Sequence, residues 1–129
     1  MTENDDLALT ASTALVGGLL VQEAPWPAPT EVPDPVSGRP HTCLLPLVDD
    51  GLRSAGLWSC TPGAFRSDHT GYVEVMHVVE GAAELQGDDG TTWRVSPGTV
   101  LVVPDGWVGT WVVEKTVVKS YAIFRDVSR

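Results

Sequence analysis

The sequence is poor in basic residues and in cysteine, and each shortage excludes a class of function. Eight Lys and Arg stand against 17 Asp and Glu, which gives a formal net charge of −9. Nucleic acids and anionic membrane surfaces are bound by clustered Lys and Arg, so neither is expected as a partner. The cysteines, Cys43 and Cys60, form at most a single disulfide and lack the spacing of a zinc site. We therefore expect reduced thiols and a cytoplasmic protein.

Long helical patterns and long apolar runs are also missing. Residues 7–21 are apolar, but they contain Gly17 and Gly18 and follow acidic residues. A membrane span needs about 20 apolar residues and a signal peptide needs a basic start, so neither is predicted. The sequence leaves open whether this segment is helix, strand or disordered, and residues 1–23 are treated as an N-terminal segment of uncertain structure.

Proline and glycine are abundant instead, with ten Pro and 13 Gly in 129 residues. Many of the prolines fall within residues 24–40, together with Trp26. Because proline cannot donate a ladder hydrogen bond, this segment is predicted to be an extended arm on the domain surface rather than a helix or a central strand. We expect Trp26 to anchor the arm.

From residue 41 onward, short runs of β-branched and apolar residues alternate with turn sequences rich in Asp, Gly and Pro. The Gly87-Asp-Asp-Gly90 sequence predicts a hairpin turn. The chain length and the strand spacing together predict one all-β domain over residues 41–129, a sandwich or a barrel. The predicted strands cover residues 43–48, 55–60, 72–79, 82–86, 92–95, 99–103, 110–114 and 117–124.

Two stretches punctuated by glycine resemble the two sequence motifs of the cupin superfamily. The first contains His69, Glu74 and Gly81, and the second contains Gly98 and the Pro104-Asp-Gly106 turn. The resemblance implies a single-domain cupin, a double-stranded β-helix or jelly-roll barrel, preceded here by the proline-rich arm.

The same resemblance implies that most of the cupin metal ligands are missing. Ser67 and Gly109 stand where the family motifs carry histidine, which leaves His69 and Glu74 as an incomplete metal site. Borderline divalent metals prefer a fuller set of nitrogen and oxygen donors, so two ligands hold them weakly. We therefore expect no cofactor, with a weakly held Mn, Fe, Ni or Zn ion as the alternative.

Further sequence segments are similar to a narrower group of cupins, namely the cupin domain of (S)-ureidoglycine aminohydrolase and the ethanolamine-utilisation cupins. The resemblance covers residues 24–125 and implies a small cupin that pairs as a homodimer. It does not carry the aminohydrolase activity over, because this chain has one cupin unit and lacks the fuller ligand set. The similar segments are residues 56–63, 78–81, 104–111 and 118–121.

Strand alternation predicts which side chains face the inside of this barrel. If Glu74 points inward, as the cupin motif implies, then Met76 and Val78 also point inward and His77 points outward. Aromatic side chains around a concave site are typical of a small-ligand pocket. The candidate ligand-binding residues are Trp58, Met76, Trp111, Lys119 and Tyr121.

Glu74 and His69 are the candidate catalytic pair, because a carboxylate beside an imidazole is suited to general acid–base work. The alternative is that Glu74 is a core carboxylate satisfied by Lys119, Tyr121 or water. The sequence thus predicts a cupin that binds a small polar molecule in its barrel. Such a protein is either a metal-independent or weakly metal-dependent enzyme or a non-catalytic ligand sensor or accessory protein.

Overall fold

The computed structural model of the protein describes residues 15 and 17–125. A 3-10 helix covers Val21–Glu23, and the remaining regular structure of the described residues is strand, as predicted. No helix in these residues has the length and apolar character needed to cross a membrane. The strands are β1 (Thr30–Glu31), β2 (Ser37–Gly38), β3 (His41–Asp49), β4 (Arg53–Cys60), β5 (Gly63–Asp68), β6 (Tyr72–Gly87), β7 (Thr92–Val95), β8 (Val100–Val103) and β9 (Val108–Arg125).

The strands form one curled sheet organised around β9. Along one edge, the first half of β9 pairs with β5 and the second half pairs with β4. Along its other edge β9 pairs with β6, which in turn pairs with β7 and β8. Because β9 is hydrogen-bonded on both sides over most of its length, it connects all the long strands into one barrel.

Two pairs of predicted strands are each one continuous strand, β6 and β9. The sequence predicted a stop at Gly81, but β6 continues through it with shifts of register against β9. Gly81 has φ +96°, and a Cβ at this position would overlap the backbone of Thr116. The glycine therefore marks a bulge where two backbones approach closely, and bulges bend a sheet instead of ending it.

Strand β5 was missed by the sequence analysis. Among its central residues only Ala64 and Phe65 are apolar, so it lacks the β-branched run that identifies the other strands. Its register comes from pairing, with Phe65 opposite Trp111 and Ser67 opposite Gly109 of β9. This strand brings Ser67 to the inside of the barrel.

The proline-rich arm is extended and pairs with the edges of the sheet. β1 pairs with β3, and β2 pairs with β5. Trp26 is half-buried, and the thiol of Cys43 donates a hydrogen bond to the Pro27 carbonyl oxygen at 3.4 Å. Most of the apolar segment 7–21 lies outside the described residues.

The inner faces of the strands form the core with the predicted alternation. Glu74, Met76 and Val78 are buried, whereas His77 between them is exposed. Both cysteines are free thiols. Burial raises the pKa of the Cys60 thiol to about 12, so this side chain behaves as an inert part of the core.

The outer face leaves apolar surface exposed on β8 and β9. Val100, Val102 and Phe124 are each at least half exposed. Val102 lies opposite Val75, which lies opposite Ala122, so the apolar surface continues across three strands. The homodimer and the cytoplasmic location stay predictions.

Candidate functional site

The barrel contains a cavity of about 290 Å³ with an aromatic wall. Trp58, Phe65 and Trp111 form this wall: the ring centroids of Trp58 and Trp111 are 5.3 Å apart, and Phe65 stacks on Trp111 at 6.4 Å. An apolar wall with a few convergent polar groups is the usual form of a small-molecule site. The main polar side chains of the lining are Ser54, Ser67, His69, Glu74, Lys119, Tyr121 and Arg125.

A buried ion pair lies against the aromatic wall. The Lys119 ammonium on β9 donates a hydrogen bond to Oε2 of Glu74 on β6 at 2.7 Å, and both side chains are less than a tenth exposed. Nζ also lies 4.5 Å from the ring centroid of Trp58 and 4.9 Å from that of Trp111, within cation–π distance. Burial lowers the pKa of Lys119, and the adjacent Glu74 carboxylate opposes that shift.

His69 completes the polar end of the cavity. Its Nδ1 lies 3.8 Å from Oε1 of Glu74, which is too far for a hydrogen bond. Within the described part of the chain this buried Nδ1 has no hydrogen-bond partner. The imidazole is held by Tyr72, at 4.7 Å between centroids, and by an edge-to-face contact with Trp107 at 5.5 Å. Burial lowers the pKa of His69, so the ring is neutral at pH 7.

The lowered pKa of His69 predicts a loss of stability in mild acid. An unperturbed imidazole titrates near pH 6.5 and this buried one titrates lower, so the unfolded chain binds more protons between those two values. The free energy of unfolding therefore has its full value above pH 6.5. It falls as the pH drops toward the pKa of His69 in the folded protein, by at most about 1.4 kcal/mol per pH unit for one proton. Urea titrations between pH 7.5 and 5 measure the slope.

His69→Gln is expected to flatten this slope, because it removes the buried imidazole. The matched control is His77→Gln, which removes an exposed imidazole of β6 and is expected to retain the wild-type fall. A variant at position 69 that loses stability as steeply as the wild type would show that the slope comes from elsewhere.

The cupin metal positions do not form a metal site in this chain. Ser67 and Gly109 face each other across β5 and β9, but the ring of Trp107 fills the space that a side chain at position 109 would need. The other histidines do not repair the site, since neither His41 nor His77 is among the residues that line the cavity. Across residues 17–125, no three His, Cys, Asp or Glu side chains are placed to hold a metal ion. The donor set therefore does not fit a divalent metal.

The sequence matches the family model of the EutQ-like cupin domain over residues 47–121. The protein belongs to this family of cupins. With the curled sheet described above, the match confirms the predicted cupin barrel. Among curated proteins, none matches the sequence.

Solved structures of other cupins have the same fold as this EutQ-like cupin. The EutQ protein of Clostridium difficile is 17% identical, with a TM-score of 0.60 over 67% of this chain and 69% of that chain. A putative EutQ from Salmonella typhimurium LT2 is 22% identical, with a TM-score of 0.59 over 66% of this chain and 70% of that chain. A protein of unknown function from the DUF861 family of Pseudomonas syringae pv. tomato DC3000 is 26% identical, with a TM-score of 0.69 over 81% of this chain and 46% of that chain.

The barrel of this EutQ-like cupin brings together all but one of the predicted site residues. The exception is Met76, which is 1% exposed and packs in the hydrophobic core outside the cavity lining. It is the next inward-facing residue after Glu74 on β6, and at that level the barrel interior is filled by side chains. The residues that line the cavity as predicted are Trp58, His69, Glu74, Trp111, Lys119 and Tyr121.

Sequence reasoning missed Phe65, Ser67, Tyr72 and Arg125 as cavity residues. Arg125 carried a usable signal, because it continues the inward alternation of Lys119 and Tyr121 along β9. Phe65 carried none, since its strand was not recognised.

Proposed function

We propose that the cavity of this EutQ-like cupin binds a small polar molecule. The observation that carries the proposal is the buried Lys119–Glu74 pair set against Trp58 and Trp111 in a cavity. Replacing a buried ion pair with packed apolar side chains is often neutral or stabilising, so stability alone is a weak reason for such a pair. A binding role accounts for both the charges and the space beside them.

The same geometry supports proton transfer by Glu74 and His69. Oε2 of Glu74 is engaged by Lys119, while Oε1 faces the unpaired Nδ1 of His69 at 3.8 Å. A ligand atom that reaches this gap contacts a carboxylate and a neutral imidazole together. In the enzyme form of the proposal Glu74 is the general acid–base and His69 assists it. In the alternative, the cavity of a sensor or accessory protein only binds.

Binding is tested by titrating the protein with a library of amino acids, sugars, carboxylic acids and amides. A ligand of the folded state raises the melting temperature by mass action, and Trp58 on the cavity wall reports occupation by a change in indole fluorescence. Trp58→Phe is expected to reduce that change and the double variant with Trp111→Phe to abolish it, because both indoles line the cavity, whereas Trp93→Phe, which alters an exposed indole, is expected to keep it. Ligands whose full signal survives the loss of both cavity indoles bind elsewhere and contradict the proposal.

The variant Glu74→Gln distinguishes the hypothesis of an enzyme from that of a sensor. The amide keeps the size of the side chain and a carbonyl oxygen for Lys119. The protein is therefore expected to fold with reduced stability, because the ammonium loses its countercharge, while turnover of a bound compound falls by about 100- to 10,000-fold. NMR of the ligand follows product formation, and circular dichroism follows the fold. Unchanged turnover removes Glu74 from the mechanism, and a wild-type protein that is stabilised without any product supports the sensor.

A further inference from the structure

The Lys119 ammonium is buried with fewer acceptors than it has donors. An ammonium carries three N–H groups, yet among the described residues Nζ donates a single hydrogen bond, to Glu74. The indole faces of Trp58 and Trp111 stabilise its charge without accepting a conventional hydrogen bond. Buried polar groups are nearly always paired with protein or water, so the two remaining N–H groups are available to water or to a ligand in the cavity.

The ammonium is bound to the same carboxylate that a metal ion in the cupin site would use. Glu74 and His69 are the two metal-ligand positions of the cupin motifs that are retained, and a divalent ion would lie about 2 Å from their ligand atoms. Nζ lies 2.7 Å from Oε2 of Glu74, while Nδ1 of His69 faces Oε1, so a metal ion bound to this carboxylate would have a positive charge on the neighbouring oxygen.

A second cation lines the same cavity. Arg125 donates a hydrogen bond to the Ser54 hydroxyl at 3.4 Å and lies over the Tyr72 ring at 5.6 Å, and it has no carboxylate partner among residues 17–125. Asp49, the other acidic residue of the lining, is exposed and accepts a hydrogen bond from the Gly51 amide. The lining therefore holds two cations, of which only Lys119 is paired with a carboxylate among the described residues.

We propose that Lys119 replaces the metal ion of the cupin cavity as a built-in cation, and that it receives an oxygen of a small organic carboxylate. The inference rests on the proposed binding function and names the class of its ligand. The free N–H groups of Lys119 hold one carboxylate oxygen, Arg125 attracts the anion at the rim, and the indoles cover its apolar part.

The experiment compares carboxylates with their neutral amides of the same shape. Acetate, propionate and benzoate are titrated by calorimetry at constant ionic strength against acetamide, propionamide and benzamide. At least one acid is expected to bind the wild type at least tenfold more tightly than its amide. Lys119→Met is expected to weaken that acid tenfold or more, and Lys115→Met, which removes an exposed charge of the same strand, to change its affinity less than twofold.

The variant Glu74→Gln with Lys119→Met provides a folded comparison, because it leaves no lone buried charge. It is expected to show the same loss of acid binding. Retained acid affinity in that variant, or an amide that binds as tightly as its acid, overturns the role of Lys119 but leaves the binding function standing. A cavity that binds none of these probes and no compound of the library overturns both.

The metal content of chelator-free, untagged protein tests the other half of the inference. Elemental mass spectrometry is expected to find far less than one equivalent of manganese, iron, nickel or zinc per chain, before and after incubation with each ion. One equivalent that survives gel filtration overturns the replacement of the metal by Lys119.

Discussion

Lys119→Met is expected to lower the free energy of unfolding by about 3–5 kcal/mol, because it leaves the Glu74 carboxylate buried without its cation. The methionine keeps most of the length of the lysine side chain and its contacts with Trp58 and Trp111, so lost packing contributes little. Urea unfolding followed by circular dichroism measures the change, provided that the dependence on urea concentration stays the same.

Two controls isolate the buried charge in this experiment. Adding Glu74→Gln to Lys119→Met removes the lone carboxylate and is expected to recover most of the lost stability. Arg94→Met breaks the ion pair with Glu114, in which both side chains are about half exposed, and is expected to cost less than about 1 kcal/mol. If Lys119→Met also lowers the free energy of unfolding by less than about 1 kcal/mol, then water, and not Lys119, stabilises the Glu74 carboxylate.

Gly109→His, which places the second-motif histidine in this chain, is expected to destabilise the barrel by about 3 kcal/mol without creating a metal site. A Cβ at position 109 would overlap the carbonyl oxygen of Gln86 and lie 2.5 Å from Cζ2 of Trp107. This oxygen belongs to the backbone of β6, so it cannot move away by a side-chain rotation. The loss of stability from overpacking is therefore expected to be at the upper end of the usual range. Thermal and urea unfolding measure the loss.

Ser67→His is the matched control, because position 67 faces Gly109 from β5 and its half-buried side chain lines the cavity. There a histidine has room, and we expect a loss below about 1.5 kcal/mol. Removing the ring with Trp107→Ala should not rescue Gly109→His, since the Gln86 carbonyl remains. A stable Gly109→His protein would mean that the two backbones separate easily at this point.

The part of the site that the sequence predicts follows from local alternation. Glu74 and His77 could be assigned to opposite faces of β6 because strand side chains alternate regardless of their partners. Lys119 and Tyr121 share a face of β9 for the same reason. These rules need only the strand itself. In β9 they give the side chains that share a face, but they do not decide which face lines the cavity.

What the sequence left undecided depends on the register between distant strands. Glu74 and Lys119 are 45 positions apart, and the sequence offered Lys119, Tyr121 and water as equal partners. The pairing of Val78 with Lys119 lets the lysine side chain extend toward Glu74. The same limit applies to Met76. Alternation predicts that its side chain points into the barrel, but it does not predict how far along the barrel axis the cavity extends.

The central position of β9 has a consequence for biosynthesis. β4, β5 and β6 all hydrogen-bond to this strand. Until residues 108–125 have emerged from the ribosome, the edges of these three strands that pair with β9 have no partner. The barrel can then close only after that segment emerges, by contacts between residues far apart in the chain, which is a slow route. During this interval the exposed strand edges can pair with other chains and cause aggregation.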